Sequence, residues 1–377
     1  MVEFNKEEKK VEYLELIYDL IFVYLIGRNN SLLHHVSDGF IDGKLFLTYV
    51  ICTFTIIQIW NFSTFYINRY GRNGLRDHVF LFTNMYLLYF MADGIRAHWQ
   101  EYFDRYNVAW MLILLNISAQ YFIERRNHKA APWEVKQIEV TGTIILIEAL
   151  IVGISIPIFH AFGVTIAYVA VIFGITATIF SGKVNDLVSI DFAHLSERAM
   201  LYVVFTFGEM IIAIAGYFDG EPSFNTIYFS AMAFLIVAGL FLSYGTLYDH
   251  IIDREMTTRG TGYMMIHVFI IFALNNISTA LELMREAEVR LMPKTLFLIG
   301  SFLLYYVFLF MTERYAKERL HFTKKLWITL LMFAIGFIGL MFIFREQMYV
   351  NIALTVIYVF WVYSFLYRYG RWVREEE

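Results

Sequence analysis

The chain reads as a series of long apolar runs separated by short polar connections. A bilayer core is about 30 Å thick, so a spanning helix needs about 20 mostly apolar residues. Twelve runs approach that length, at 11–27, 45–66, 78–95, 107–123, 138–158, 161–181, 199–216, 226–248, 263–284, 295–312, 326–344 and 349–367. The first is short and carries carboxylates. The runs are too long for barrel strands and do not alternate strictly, which argues for helices. The expected architecture is all-α, a polytopic integral membrane protein with about 12 transmembrane helices.

Composition narrows the picture further. Hydrophobic residues make up 59% of the 377 positions, against about 45–50% in soluble domains. That excludes a disordered chain and an ordinary water-soluble domain. The single thiol, Cys52, cannot form an internal bridge or a cysteine-based metal cage. A net charge of −4 gives no reason to expect nucleic acid as a partner. The start of the chain is charged and no small-residue cleavage site follows the first apolar run, so the first helix is expected to be retained. The four prolines fall in connections or at run ends, which predicts continuous helices.

Lys and Arg set the expected orientation. With the N-terminus inside, 22 of the 30 fall in inner segments and 8 in outer ones. Both termini are therefore expected in the cytoplasm, with the protein in the plasma membrane.

The two halves, 1–188 and 189–377, align at an offset of 189 residues. His78 falls on His267, Asp93 on Glu282, Glu124 on Glu313 and Gly27 on Gly216; Asp19 meets Glu209 with a one-residue slip. The pattern predicts an N-terminal and a C-terminal six-helix repeat. An even number of helices makes them parallel repeats.

Polar residues interrupt particular helices. The first carries Glu12, Glu15 and Asp19, whose spacings place them on one face. The seventh carries Arg198, Tyr202, Thr206 and Glu209, with Glu209 about 16 Å along the axis from Arg198. The third carries His78 and Asp93, the ninth His267 and Glu282, and the fifth Glu148. A mid-bilayer carboxylate costs about 2.5–3.5 kcal/mol on insertion scales. The twelve runs contain no Lys or Arg, so the expected partners are protons, cations, His, Tyr hydroxyls or basic residues reaching in from helix ends. The plainer readings stand beside this. Glu12 and Glu15 can pair with Lys9 or Lys10 near the interface, Asp19 and Glu209 can be protonated structural groups, and Trp60 is a core residue. His194, three before Glu197, lacks further metal ligands nearby.

Several motifs resemble one family. The run Glu15-Leu-Ile-Tyr-Asp19-Leu-Ile-Phe-Val23 is similar to the E-L-F-F-D-L-V-F-V opening of the low temperature requirement A (LtrA) family. His194-Leu-Ser-Glu197-Arg198 with Phe207-Gly208-Glu209 resembles its H-x-x-E-R and L-G-E segment, and Asn68-Arg69-Tyr70 its N-R-F. His267 with Ala280-Leu281-Glu282 resembles a later helix ending in G-L-E, with Ala280 where that motif has glycine. The family's acidic D-T-D-D stretch is replaced by Gly71-Arg72-Asn73-Gly74. The resemblance implies a multi-helix bacterial membrane protein linked to growth in the cold, and supplies no substrate. A slighter resemblance links Asp19 and Phe22 to the first-helix F-S-D-x-x-F of endosomal-lysosomal potassium and proton channels.

The expected function is transport of a small cation or a proton-coupled solute. Asp19 and Glu209 are the expected titrating or ion-binding groups, and Glu15, Glu197 and Arg198 shape the inner vestibule. Asp93, Glu282, His78 and His267 are secondary. No Walker loop, G-x-G-x-x-G, G-x-S-x-G or H-E-x-x-H occurs, so no catalytic residue, metal or cofactor is assigned. The expected partners are lipid and a small cation, proton or solute, with a homo-oligomer left open. A passive potassium or proton channel, a lipid-binding protein or intramembrane enzyme, and a structural or sensory protein are the alternatives.

Overall fold

The computed structural model describes residues 9–128, 131–218, 223–286 and 288–375. In chain order the helices are α1 (Tyr13–Asn30), α2 (Gly43–Tyr70), α3 (Leu75–Asp93), α4 (Trp99–Glu124), α5 (Pro132–Phe162) and α6 (Ala167–Phe180). The one-turn α7 (Gly182–Asn185) follows. Then come α8 (Phe192–Ala215), α9 (Phe224–Thr246), α10 (Thr261–Arg285), α11 (Leu291–Met311), α12 (Lys324–Ile343) and α13 (Met348–Glu375). Two short strands, β1 (Val36–Ser37) and β2 (Phe40–Ile41), form a hairpin. Its turn places Asp38 at φ 52° and Gly39 at φ 79°, the left-handed pair that a two-residue hairpin turn requires.

Among the described residues, nine helices are long and apolar enough to cross a membrane. The protein is thus an all-α, multi-pass membrane protein. Three of the twelve expected spans do not reach that measure. Helices α1 and α3 carry three charged residues each, and α6 is apolar but only 14 residues long.

Local sequence explains where the helices begin. Glu12 and Glu15 form a capping box at the start of α1. The Asp42 carboxylate accepts from Lys44 N and Leu45 N, both at 3.0 Å, and so opens α2. Pro132 occupies the first turn of α5, and Gly163, at φ 68°, ends it. Helix α5 runs past the expected boundary, so Pro157 lies inside it rather than at its end. Having no N–H, Pro157 cannot bond the Gly153 carbonyl. Pro293 falls in the first turn of α11, and Pro222 lies outside the described residues.

Two compact units divide the chain, with the division inside α8. The first holds the chain up to His35, Asp42–Ala199 and Thr257–Thr261. In it α1 packs on α2 and α3, α4 on α3 and α5, and α6 on α5 and α2. Trp60, Trp110, Tyr18, Tyr49, Tyr106 and Tyr121 are fully buried there. The second holds Val36–Ile41, Met200–Met256 and Gly262–Glu377. In it α13 packs on α9 and α12, and α12 on α11. The apolar stretch of α12 is only 22% buried, so Ile328, Leu331, Met332 and Ile335 are left for lipid.

Candidate functional site

Helix α8 begins at Phe192, seven residues before the expected span. That shift changes the electrostatics. Arg198 is part of the helix and fully buried, and it supplies the basic partner that the apolar runs lacked. Its Nη2 pairs with Asp19 Oδ1, and its Nη1 lies 3.1 Å from Glu15 Oε2. A field in which carboxylates meet only mobile cations is therefore not what surrounds Asp19. A buried guanidinium holds Asp19 and Glu15 together.

Trp60 completes the pair. Its indole Nε1 donates to the same Asp19 oxygen at 2.8 Å, and its ring lies 5.9 Å from the Arg198 guanidinium carbon. The plainer sequence reading made Trp60 a core residue. It is buried, but its N–H needs an acceptor, and Asp19 is that acceptor. At the residue before Asp19, the Tyr18 hydroxyl bonds the Ser63 hydroxyl at 2.8 Å.

Glu15 divides its two oxygens. Oε1 faces the α1 N-cap backbone at 3.5 Å, while Oε2 faces Arg198 and, at 3.3 Å, His194 Nε2. These last two are ion-pair distances without hydrogen-bond alignment. The histidine tautomer follows from its neighbour. Asp191 N donates to Asn68 Oδ1 at 3.0 Å, which fixes the amide. Asn68 Nδ2 then donates to Asp191 O at 2.8 Å and to His194 Nδ1 at 3.0 Å. A neutral His194 accepting at Nδ1 carries its proton on Nε2, toward Glu15.

A cavity of about 570 Å³ opens beside this cluster. Glu15, only 3% exposed, is part of its wall, with Lys9, Asn68, Arg69, Asp77 and Asp191. Lys9 Nζ donates to the Ile67 and Gly71 carbonyls at the end of α2. Burial holds the Lys9 ammonium below the usual amine range, while the Glu15 carboxylate pulls the other way.

Residues 10–363 match the family described as bacterial low temperature requirement A protein (LtrA). The chain belongs to the LtrA family. No curated protein matches it.

In this LtrA-family chain, the E-x-x-x-D of the first motif and the H-x-x-x-R of the second meet in one cluster, joined by the asparagine of the N-R-Y run. Other expected site residues lie elsewhere. Glu197, next to Arg198, is half-buried and makes no hydrogen bond or ion pair among the described residues. His78 is half-exposed and bonds Asn73 Oδ1 at 2.8 Å. Asp93 is 34% exposed and paired with Arg96 and Arg105, a salt-bridged helix end. In the second unit, His267 is buried between Tyr263 O at 2.8 Å and the Tyr244 hydroxyl at 3.0 Å, a closed structural arrangement. Glu282 is half-buried near the end of α10. Glu209 is half-buried and, among the described residues, makes no hydrogen bond or ion pair.

Glu148 had no nameable partner in the sequence. It is buried and accepts from Gln58 Nε2 at 3.2 Å. A Cβ on Gly174 of α6 would collide with both side chains, so glycine makes room for the pair. Asp191 and Asn68 were also missed as partners, because a loop aspartate and an amide leave no periodic signal.

Proposed function

We propose that this chain is a membrane transport protein for a small cation or a proton-coupled solute, with Glu15, Arg198 and Asp19 as its coupling group. The observation that carries this reading is the double placement of Glu15. One carboxylate belongs both to the cavity wall and to the buried arginine pair. A proton or cation entering the cavity competes with Arg198 for Glu15. Arg198 is then held by Asp19 and Trp60 alone, and the ion pair has two arrangements that cavity occupancy selects between. His194, aimed at the same oxygen, is a natural proton donor or acceptor for that exchange. In the second unit Glu209, without a counter-ion among the described residues, is the carboxylate left to meet a mobile cation.

The same reading takes the helices as two parallel six-helix repeats, α1–α6 and α8–α13, with both termini cytoplasmic in a bacterial plasma membrane. Two features support it. The one-turn α7 falls between six helices of 14 residues or more on either side. The 189-residue offset carries α3 onto 264–282, inside α10, and α4 onto 288–313, which encloses α11. Asp19 and Glu209 then lie on matching helices.

The test is flux in vesicles reconstituted with the full chain. Glu15→Gln, Asp19→Asn and Glu209→Gln are each expected to lower uptake and flatten its pH dependence. Unchanged flux of protons, monovalent cations and coupled solutes in all three, with folding intact, would overturn the proposal. Single-channel currents above carrier rates would move the same residues into a passive channel. A copurifying lipid with no ion flux would favour lipid binding.

A further inference from the structure

Between α2, α4, α5 and α6 lies a second, much smaller cavity of about 30 Å³. Its wall includes Arg69, Tyr121, Thr141, Ser181 and Asn185, closed by the apolar faces of Phe62, Phe65 and Ile144. Two of these groups have an unused hydrogen. Arg69 Nε and the Tyr121 hydroxyl are both buried and both lack a hydrogen-bond partner. Arg69 also lacks a carboxylate. Its Nη2 donates to the Asn185 carbonyl at 3.3 Å, and its guanidinium carbon lies 5.2 Å from the Phe65 ring centre. No acid lies within ion-pair distance of it among the described residues. Asp186, whose charge reaches it, is held by Arg259 at 2.8 Å.

Of the other polar walls, Thr141 and Ser181 are already committed, while the Thr178 and Thr261 hydroxyls also line the cavity. Thr141 accepts from Gln137 Nε2 at 2.9 Å and lies 3.3 Å from Asn185 Oδ1. Ser181 donates to the Thr178 carbonyl at 2.9 Å and accepts from Asn185 Nδ2 at 3.0 Å. The cavity thus has two buried spare donors, Arg69 Nε and the Tyr121 hydroxyl, beside a positive charge with no carboxylate at ion-pair distance among the described residues, which suits an occupant that accepts hydrogen bonds and carries negative charge.

We infer that Arg69 and Tyr121 hold one small monovalent anion of chloride size in this cavity. A buried cation without a counter-ion is costly, and an anion removes that cost where a water does not. The volume sets the size class. It exceeds the roughly 10–15 Å³ of such space that one water-sized body needs, which favours a small ion over sulfate, phosphate or a carboxylated solute. Arg69 also lines the 570 Å³ cavity. The inference does not depend on the transport reading, because neither Glu15 nor Arg198 takes part.

The full-length protein in detergent, washed into gluconate buffer, tests this. Chloride or bromide is added at constant ionic strength while the thermal midpoint is followed. The wild type should show a saturable rise with both halides and none with sulfate. Arg69→Gln should abolish the rise. Tyr121→Phe should weaken the halide about tenfold, the loss of one hydrogen bond to a charged acceptor. If Arg69→Gln does not fold, Tyr121→Phe decides alone, since its ring keeps the edge contacts with Tyr66 and Tyr70. No saturable rise in the wild type, or a Tyr121→Phe response equal to it, would mean a water-filled cavity and overturn the inference.

Discussion

Asp19 and Arg198 occupy matching places in their helices: Asp19 is the seventh residue of α1, counted from Tyr13, and Arg198 the seventh of α8, counted from Phe192. Two helices that begin at a similar level thereby meet through opposite charges two turns in, and the pair is closed off from solvent. A buried pair of this kind is weak evidence for stability in itself, since desolvation offsets much of the attraction. Breaking it from one side is a different matter.

Arg198→Met leaves Asp19 and Glu15 buried without their cation, and is expected to cost about 3–5 kcal/mol. Asp19→Asn should cost less, because Arg198 keeps Glu15 at 3.1 Å and the new amide keeps an oxygen for Trp60. Cys52 gives the readout. It is the chain's single thiol and is 1% exposed, so its alkylation rate on heating reports opening. Equal labelling midpoints for Arg198→Met and the wild type would refute the assignment of Arg198 as the central counter-ion.

Asn68→Leu tests the histidine tautomer. The amide's three bonds, to Asp191 N, Asp191 O and His194 Nδ1, disappear together. Stability should fall by about 1–3 kcal/mol through the groups left unsatisfied. Nitrogen-15 NMR of the imidazole should show a single Nε2–H form in the wild type and a mixture in the variant. A single Nδ1–H form in the wild type would contradict the amide orientation.

Much of this fold was legible in the chain because apolar run length is a strong signal, and each run falls on one helix, with ends that differ by up to eight residues. The exceptions are physical. The apolar stretch of the seventh run begins at 199, which reads Arg198 as a residue of the helix's inner end; the structure starts the helix at Phe192, and a carboxylate pair lets it bury Arg198. Glu15 and Asp19 were legible as one face because their spacing is helical. Their partners were not, since Trp60, Asn68 and Asp191 come from distant segments and none breaks a hydrophobic pattern. His78 and His267 align in sequence yet differ in place, one half-exposed on Asn73 and one enclosed by tyrosines. An offset match in sequence leaves the surroundings of a side chain open.

Gly174→Ala adds a methyl where the Gln58 amide meets the Glu148 carboxylate. Both side chains are buried and have little space to move, so a cost of about 1–3 kcal/mol is expected. Gln58→Ala removes one of the two colliding groups. The double variant Gly174→Ala with Gln58→Ala should therefore be more stable than the two single losses added together, by about 0.5–3 kcal/mol. Strict additivity in thermal melts would mean that the two positions do not share this space.

Lys9 gives a pH-dependent test at the cavity mouth. Burial depresses its pKa below the usual 10.5, against the pull of Glu15. Between the depressed value and 10.5 the unfolded chain still binds a proton that the fold has released. The unfolded state holds more protons in that window, so stability rises with pH there, by at most about 1.4 kcal/mol per pH unit. Below the depressed value both states are protonated and the penalty is constant. Lys9→Met removes this contribution while leaving every other titrating group in place. The difference in thermal midpoint between wild type and Lys9→Met should therefore shift in favour of the wild type as pH climbs toward 10.5. A difference that stays flat, or shifts the other way, would show that the ammonium is solvated and does not seal the end of α2.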